Sequence, residues 1–586
     1  MSATESPFAD AVDPAVRAAR RFVPTDFDPA DAEQIHALAE ALIDRDIDGV
    51  DALTRWLEDY AEFDAVVGEA GARRMIGKAC DTEDAAIDAA HRHWIEHIAP
   101  ALAPLHDRLQ RKFLDDSRRA DLPIAGIDLL VRSWRAGVEL FREANVPIHT
   151  EVQRAVVAYD RLVGAMSVDV NGQSLTLPQA TAKLESTDRE LRESVWRQVS
   201  QRRLQDRVAM DDLFDELLAH RARIAENAGL SDFRAYQWKA MRRFDYTPDD
   251  CHRFADTVEK VVVPALAERQ RRRLDRLGVD RLRPWDLAVD PAGRPPLMPF
   301  DPDRTDDLVA KSSAVFRALD ASLADDFDRL KPGRNLDLAS RPAKRPGGFQ
   351  SALPESGEPF IFMNAAGVPR DVDTILHEAG HAFHFLAAQR DVPLSFCRRS
   401  PMEFCEVASM AMELLAAPQL GAFYEPADTA RASVVHFDGV LHVFAWIATI
   451  DQFQHWLYTH PGHTREQRTE AWLATVARFE TGLVDWTGLD DTRAADWHRQ
   501  LHLFHYPFYY IEYGLAEVGA LQVWANARRD PADALARYRA SLSLGGTRSL
   551  PDLFAAAGAR FDFGEATIAP LINDLVREIA RLDPAD

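Results

Sequence analysis

Over residues 31–163 apolar side chains recur every three or four positions between charged ones, with few breakers, and the spacing predicts a helical region. Leu102, Leu105, Leu109 and Phe113 make one such stripe, and Leu130, Trp134, Val138 and Phe141 another. Residues 1–25, ahead of it, read as a loose arm. The period changes at residues 167–170 and 173–177, two short β-prone runs on either side of Asn171-Gly172. That pair predicts a hairpin, because both turn residues must take φ > 0. The helical period resumes over residues 178–277. Residues 281–304 are proline-rich and aperiodic: an ordered surface excursion, a crossing between lobes, or equally a plain linker. A second hairpin is expected over residues 347–364, with Pro354-Glu355-Ser356-Gly357 as its turn. After Asp371 the pattern is helical almost to the end, and no repeat of 20–50 residues is present.

Composition narrows the class. The chain has 586 residues and a net charge of −24, which disfavours nucleic acid as a partner. No uninterrupted apolar run reaches the ~18 residues of a membrane span, so no membrane partner is expected. The start, Met1-Ser2-Ala3-Thr4-Glu5-Ser6, lacks a basic, then apolar, leader. Cysteines stand only at 80, 251, 397 and 405, too few for a disulfide framework at this length. These features predict a cytoplasmic enzyme or peptide-handling protein.

One motif carries chemistry. His377-Glu378-Ala379-Gly380-His381 is HExxH, set in a segment with helical apolar spacing at Ile375, Leu376, Ala379, Phe383 and Leu386. Residues four apart share a helix face, so both imidazoles can reach one Zn²⁺, with Glu378 beside them to handle a water proton. Three fixed letters recur by chance, so the third ligand decides. A metzincin continuation fails, because His384 stands at the required Gly and Ala387 at the required His; the aminopeptidase-type position is Ser400. In the next helical segment Glu406 lies between Cys405 and Val407, where an ionised carboxylate needs a partner. Glu403 is the alternative, although it also reads as a solvated carboxylate at a helix start. Glu413, two turns beyond Glu406, can support a ligating imidazole or be an ordinary surface residue. His384 is assigned to packing or to outer support of the ligands. Tyr506, Phe508, Tyr509, Tyr510 and Tyr513 cluster after His502 and His505. Such a stripe is more often core than site, yet Tyr510 and Tyr513 are spaced to face one cleft.

These segments together resemble the M3 family of zinc oligopeptidases, the thimet oligopeptidase and oligoendopeptidase F group, and most nearly its Pz-peptidase-like branch. HEAGHAFH at 377–384 with FCEVASMAMELL at 404–415 resembles the paired metal helices. PGGFQSALPESGEPFIFMNAAGVPRDVDTILHE at 346–378 resembles the substrate-edge hairpin. HLFHYPFYYIEYGLAEVGALQVW at 502–524 resembles the tyrosine-rich substrate segment. LTLPQATAKLESTDRELRESVWR at 175–197 resembles the N-terminal helical region of the oligoendopeptidase branch. The resemblance spans about residues 175–565.

The resemblance implies a mainly α fold: two helical lobes around a deep substrate channel, with a small β element beside the zinc. The expected division is an arm (1–25), an N-terminal helical region (26–200) and a catalytic domain (201–586). One Zn²⁺ per chain is expected on His377, His381 and Glu406, with Glu378 as general base. His502, Tyr510 and Tyr513 are expected at the scissile carbonyl, with His505 and Tyr509 as competitors. Short peptides are the expected substrates, cut at internal bonds. A dipeptidyl carboxypeptidase of the same family and a noncatalytic peptide-binding protein are the alternatives.

Overall fold

A computed structural model of the chain describes residues 12–330 and 334–583. Its architecture is mainly α with two small sheets. The helix Val50–Cys80 buries Trp56, Leu57, Tyr60 and Phe63 on one side, and Ala99–Asp115 packs near it through the predicted stripe Leu102, Leu105, Leu109 and Phe113, all buried. In the second stripe Leu130 and Trp134 are buried, but the helix Ile127–Leu140 ends before Phe141. Of the expected arm, residues 1–11 lie outside the described residues. The remainder holds the short helix Pro14–Ala18. The backbone N–H groups of Arg21, Phe22 and Val23 donate to Glu62 Oε1 at 3.0, 2.9 and 2.8 Å.

Buried apolar side chains fall into two large clusters. One extends from Val23 to Trp134 and also takes in Val392, Leu394 and Cys397. The other runs from Leu140 to Ile579. The core therefore divides near residue 140, and the helices Val146–Gly164, Arg189–Gln205 and Arg207–Asn227 share their apolar contacts with the C-terminal part of the chain.

Strands β1 (Ser167–Val170) and β2 (Gln173–Thr176) pair antiparallel around Asn171 and Gly172, at φ +56° and +81°. The second sheet has the order β3-β5-β4, from β3 (Leu336–Ala339), β4 (Phe349–Leu353) and β5 (Glu358–Ala365). β4 and β5 form the expected hairpin, in register from Phe349↔Phe362 to Leu353↔Glu358. β3 runs parallel to β5 and was not foreseen, since its four residues are too short to display a period. The proline-rich stretch is ordered: Asp286 is fully buried between Arg189 and Arg192 at 2.7 and 3.0 Å.

The absence of an uninterrupted apolar run does not exclude a long helix of high mean hydropathy. Among the described residues one helix, Pro426–Thr459, is long and apolar enough to cross a membrane by length and composition. Of its most apolar window 61% is buried, and the helix packs against Arg465–Phe479, Tyr510–Ala527 and Glu565–Leu582. Its apolar faces serve the core here. A cavity of about 1070 Å³ opens beside it, lined among others by Trp196, Arg203, Trp446, His377 and Glu378.

Candidate active site

The HExxH residues lie within the helix Pro369–Asp391. Pro369 opens it, where a missing N–H costs nothing, and the Asp371 carboxylate accepts from the Ala366 and Val368 N–H groups at 2.7 and 3.0 Å. The helix Met402–Ala416 carries Glu406 and crosses it at very short range. A Cβ on Gly380 would stand 2.6 Å from both the Ala408 carbonyl oxygen and Ser409 Cα. Only glycine permits that approach, and the crossing lies next to His381. Gly380 is thus a site determinant that the motif reading passed over as an x position.

The crossing brings the three expected ligands together. Glu406 Oε2 is 3.3 Å from His377 Nε2 and 3.4 Å from His381 Nε2. The three donor atoms lie within 4.8 Å of one another. The carboxylate is held from its other sides, with Ser409 Oγ donating to Oε2 at 3.1 Å and the Tyr509 hydroxyl donating to Oε1 at 2.6 Å. Glu413 Oε1 accepts from His377 Nδ1 at 2.7 Å, which turns Nε2 toward Glu406. Behind it His436 Nδ1 is 3.3 Å from Asp373 Oδ1 and 3.8 Å from Glu413 Oε2.

The electrostatics suit a cation. Burial alone would lower the His377 pKa, yet Glu406 and Glu413 hold it well above the ordinary histidine value. Burial alone would raise Glu406, yet His381 and His377 hold it well below the carboxylate range. Two imidazoles and one carboxylate, buried and converging, match the donor set of a three-ligand zinc site. Glu378 points elsewhere: it is buried, and its Oε2 has no hydrogen-bond partner among the described residues. Burial raises its pKa, against the pull of His377 and His381. Gly348, at the start of the hairpin, leaves it room, since a Cβ there would meet Thr374 Cγ2 at 3.1 Å and Glu378 Oε1 at 3.4 Å.

The tyrosine segment is a short helix (Leu501–His505), a turn and a long helix (Tyr510–Ala527). The turn contains Phe508 at φ +66°, a left-handed conformation costing a bulky residue about 1–3 kcal/mol. It is held from both sides: Phe508 N donates to Gln454 Oε1 at 2.5 Å, and its carbonyl accepts from Arg243 Nη2. The turn sends neighbouring side chains in different directions. His502, Tyr510 and Tyr513 line the cavity, with the His502 ring 5.0 Å from Tyr510 and 5.6 Å from Tyr513. His502 Nε2 lies 3.1 Å from the Tyr513 hydroxyl. The competitors go elsewhere: His505 Nε2 is 2.9 Å from Asp160 Oδ1, and Tyr509 reaches Glu406.

Glu403 is not the solvated helix-start carboxylate considered above. It is buried, accepts from the Tyr246 hydroxyl at 2.6 Å and lies 3.8 Å from Arg243 Nε, while Arg243 Nη2 binds Glu512 at 3.0 Å. A second group with metal-ligand chemistry, Cys251, Asp451 and His455, is fully buried. There Arg234 Nη1 faces His455 Nδ1 at 3.4 Å, leaving the imidazole proton on Nε2, 3.4 Å from Asp451 Oδ2. The imidazole and the carboxylate face each other at ion-pair distance without a hydrogen bond between them. His384 Nε2 donates to Ser400 Oγ at 2.9 Å, which donates to the Gly545 carbonyl at 2.7 Å, a packing role.

Known proteins carry the same fold. A crystal structure of Pz peptidase A with an inhibitor superposes with a TM-score of 0.90 at 22% identity, covering 97% of this chain and all of that one. Oligoendopeptidase-F from Enterococcus faecium gives 0.60 at 14% identity, over 95% of this chain and 97% of that one. An oligoendopeptidase F homologue of Borreliella burgdorferi is 25% identical over 248 residues, which span 41% of this chain and 40% of that relative. Residues 182–291 and 322–571, more than half of the sequence and containing His377, Glu378, His381, Glu406, His502, Tyr510 and Tyr513, match peptidase family M3, and the protein belongs to that family.

Proposed function

We propose that the protein is a zinc-dependent endopeptidase acting on short peptides. The observation that carries this reading is the convergence of His377, His381 and Glu406 beside an unpartnered, buried Glu378 in the lining of the cavity. His377, His381 and Glu406 would hold the zinc. When bound there it supplies Lewis acidity, which brings the pKa of water from 15.7 toward ~7 and polarises a peptide carbonyl.

The chain's own groups do the rest. Glu378 accepts the proton of the attacking water and returns it to the leaving amine. Its raised pKa suits both halves of that exchange. Tyr513, beside His502, donates to the carbonyl oxygen as it becomes an anion, the point at which a preset donor has most effect. Tyr510 flanks them and shapes the wall, with its hydroxyl toward Trp446 and Gln500. Glu413 holds the His377 ring. β4, an edge strand that starts beside Glu378, offers backbone groups to an extended peptide. The catalytic unit is assigned to residues 201–586; from the preceding region, residues between Met166 and Ser200 contribute to the cavity lining.

The test is turnover of internally quenched peptides by zinc-loaded protein, with products identified by mass spectrometry. Cleavage within peptides acetylated at one end and amidated at the other is expected. Release of C-terminal dipeptides only, or zinc binding with no cleavage, overturns the reading.

A further inference from the structure

A tryptophan indole nitrogen can only donate a hydrogen bond. The 2.9 Å contact of Trp446 Nε1 with Gln500 therefore requires the amide oxygen there. This fixes the amide, and Gln500 Nε2 donates to His502 Nδ1 at 2.7 Å. A neutral imidazole that accepts at Nδ1 carries its proton on Nε2. His502 stays neutral, because burial pushes it down to about 3. Nε2 thus donates to the Tyr513 oxygen 3.1 Å away. The phenol proton is then not consumed by the histidine and is free for the substrate.

The geometry points to Trp446 and Gln500 as positioning residues that set the His502 tautomer and so aim the Tyr513 proton into the cavity. This rests on the peptidase reading for its kinetic consequence, not for the tautomer itself. In the opposite tautomer the phenol would donate to Nε2 and have no proton for an oxyanion.

Two measurements test it. ¹⁵N NMR of histidine-labelled, zinc-loaded protein should give His502 as the Nε2–H tautomer; an Nδ1–H signal overturns the inference whether or not the protein cleaves peptides. In kinetics, Gln500→Met should lower kcat by about tenfold with little change in KM, and should have no further effect in a Tyr513→Phe background. Losses that multiply independently in the double variant show a merely structural role and overturn it.

A separate observation concerns Arg203. It lines the cavity, and its guanidinium has no hydrogen bond or ion pair among the described residues. Its guanidinium cannot shed its charge. Burial and the neighbouring Arg499 both disfavour that charge, against the weaker pull of Tyr159 and Asp496. Arg499 is itself engaged, with Nε donating to Asp496 at 2.8 Å and its guanidinium 4.5 Å over the Trp446 ring. In a chain of net charge −24 this cation is partly buried, unlike the exposed Arg370 that lines the same cavity.

We propose that Arg203 is a subsite for a carboxylate of the bound peptide, either its C-terminus or an Asp or Glu side chain. This too rests on the peptidase reading; inactivity of the wild type would refute that reading, whereas the comparison below isolates the subsite. Steady-state kinetics on four versions of one peptide, free acid or amide, with an internal Glu or Gln, separates the two sources. Neutralising the true source should raise the wild-type KM by about tenfold or more, the scale of one charge-assisted hydrogen bond. Arg203→Gln should abolish that difference, and Arg203→Lys should keep part of it. Equal wild-type KM for all four peptides, or an equal loss on all four in Arg203→Gln, overturns the proposal.

Discussion

The site has two halves built on different principles. The metal half rests on two helices crossing at Gly380, with ligands one turn apart on one helix and a single carboxylate on the other. The tyrosine half rests on a turn, where Phe508 in a left-handed conformation redirects the chain between His502 and Tyr513. In the first, helix geometry fixes the two histidines from sequence spacing, while the carboxylate arrives with the second helix. In the second, the direction of each side chain depends on Gln454 and Arg243, which arrive from remote segments. On the function proposed above, the difference becomes a division of labour: one half would hold the cation, the other would act on the developing charge.

The strongest test of that division is Glu378→Gln. It lies on the metal half, yet it should lower kcat by about 10²–10⁴-fold and leave zinc affinity within about twofold, by titration against a chelator. Activity within about tenfold of wild type would remove Glu378 from proton transfer. Next, Tyr513→Phe should lower kcat by about 10²–10³-fold with zinc retained and KM nearly unchanged, while Tyr510→Phe should cost less than about tenfold. The reverse order would shift the oxyanion donor to Tyr510. Glu413→Gln should show the opposite signature: about 10–100-fold weaker zinc binding, and kcat within a few-fold once zinc is saturating. A large kcat loss at saturating zinc would merge the two halves. Gly380→Ala should destabilise the protein by about 1–3 kcal/mol through overpacking, measured by denaturant titration, and should weaken zinc binding as the helices part. Smallest at the site, Glu403→Gln should leave zinc affinity within about twofold while lowering the melting temperature, because Arg243 loses an ionic partner. A large zinc loss there would exchange the roles of Glu403 and Glu406.

Legibility followed the same line. The mainly α class, both hairpins and the pairing of His377 with His381 were open to a reader of spacing, since each depends on residues close in sequence or on one helix face; spacing left Glu403 and Glu406 both open, and the family resemblance favoured Glu406. Glu403 was misread because its partners, Tyr246, Arg243 and Glu512, are supplied only by the tertiary fold. The membrane-length character of Pro426–Thr459 was missed because scattered polar residues interrupt its apolar runs. The choice of His502 over His505 could not be made from spacing, as the turn between them and the tyrosines follows no period. Gly380 carried a usable signal: a glycine in the middle of an otherwise regular helix generally marks a close backbone approach.

The segment joining the two metal helices carries Val392, Leu394 and Cys397 into the N-terminal apolar cluster rather than into the cluster around the site. The short tether between His381 and Glu406 is therefore anchored in a different core from the ligands themselves. On the zinc reading proposed above, and in thermodynamic language, the integrity of the first 140 residues and the affinity for the cation would be linked functions: loosening one would weaken the other, and a bound ion would in turn stabilise a core it never touches.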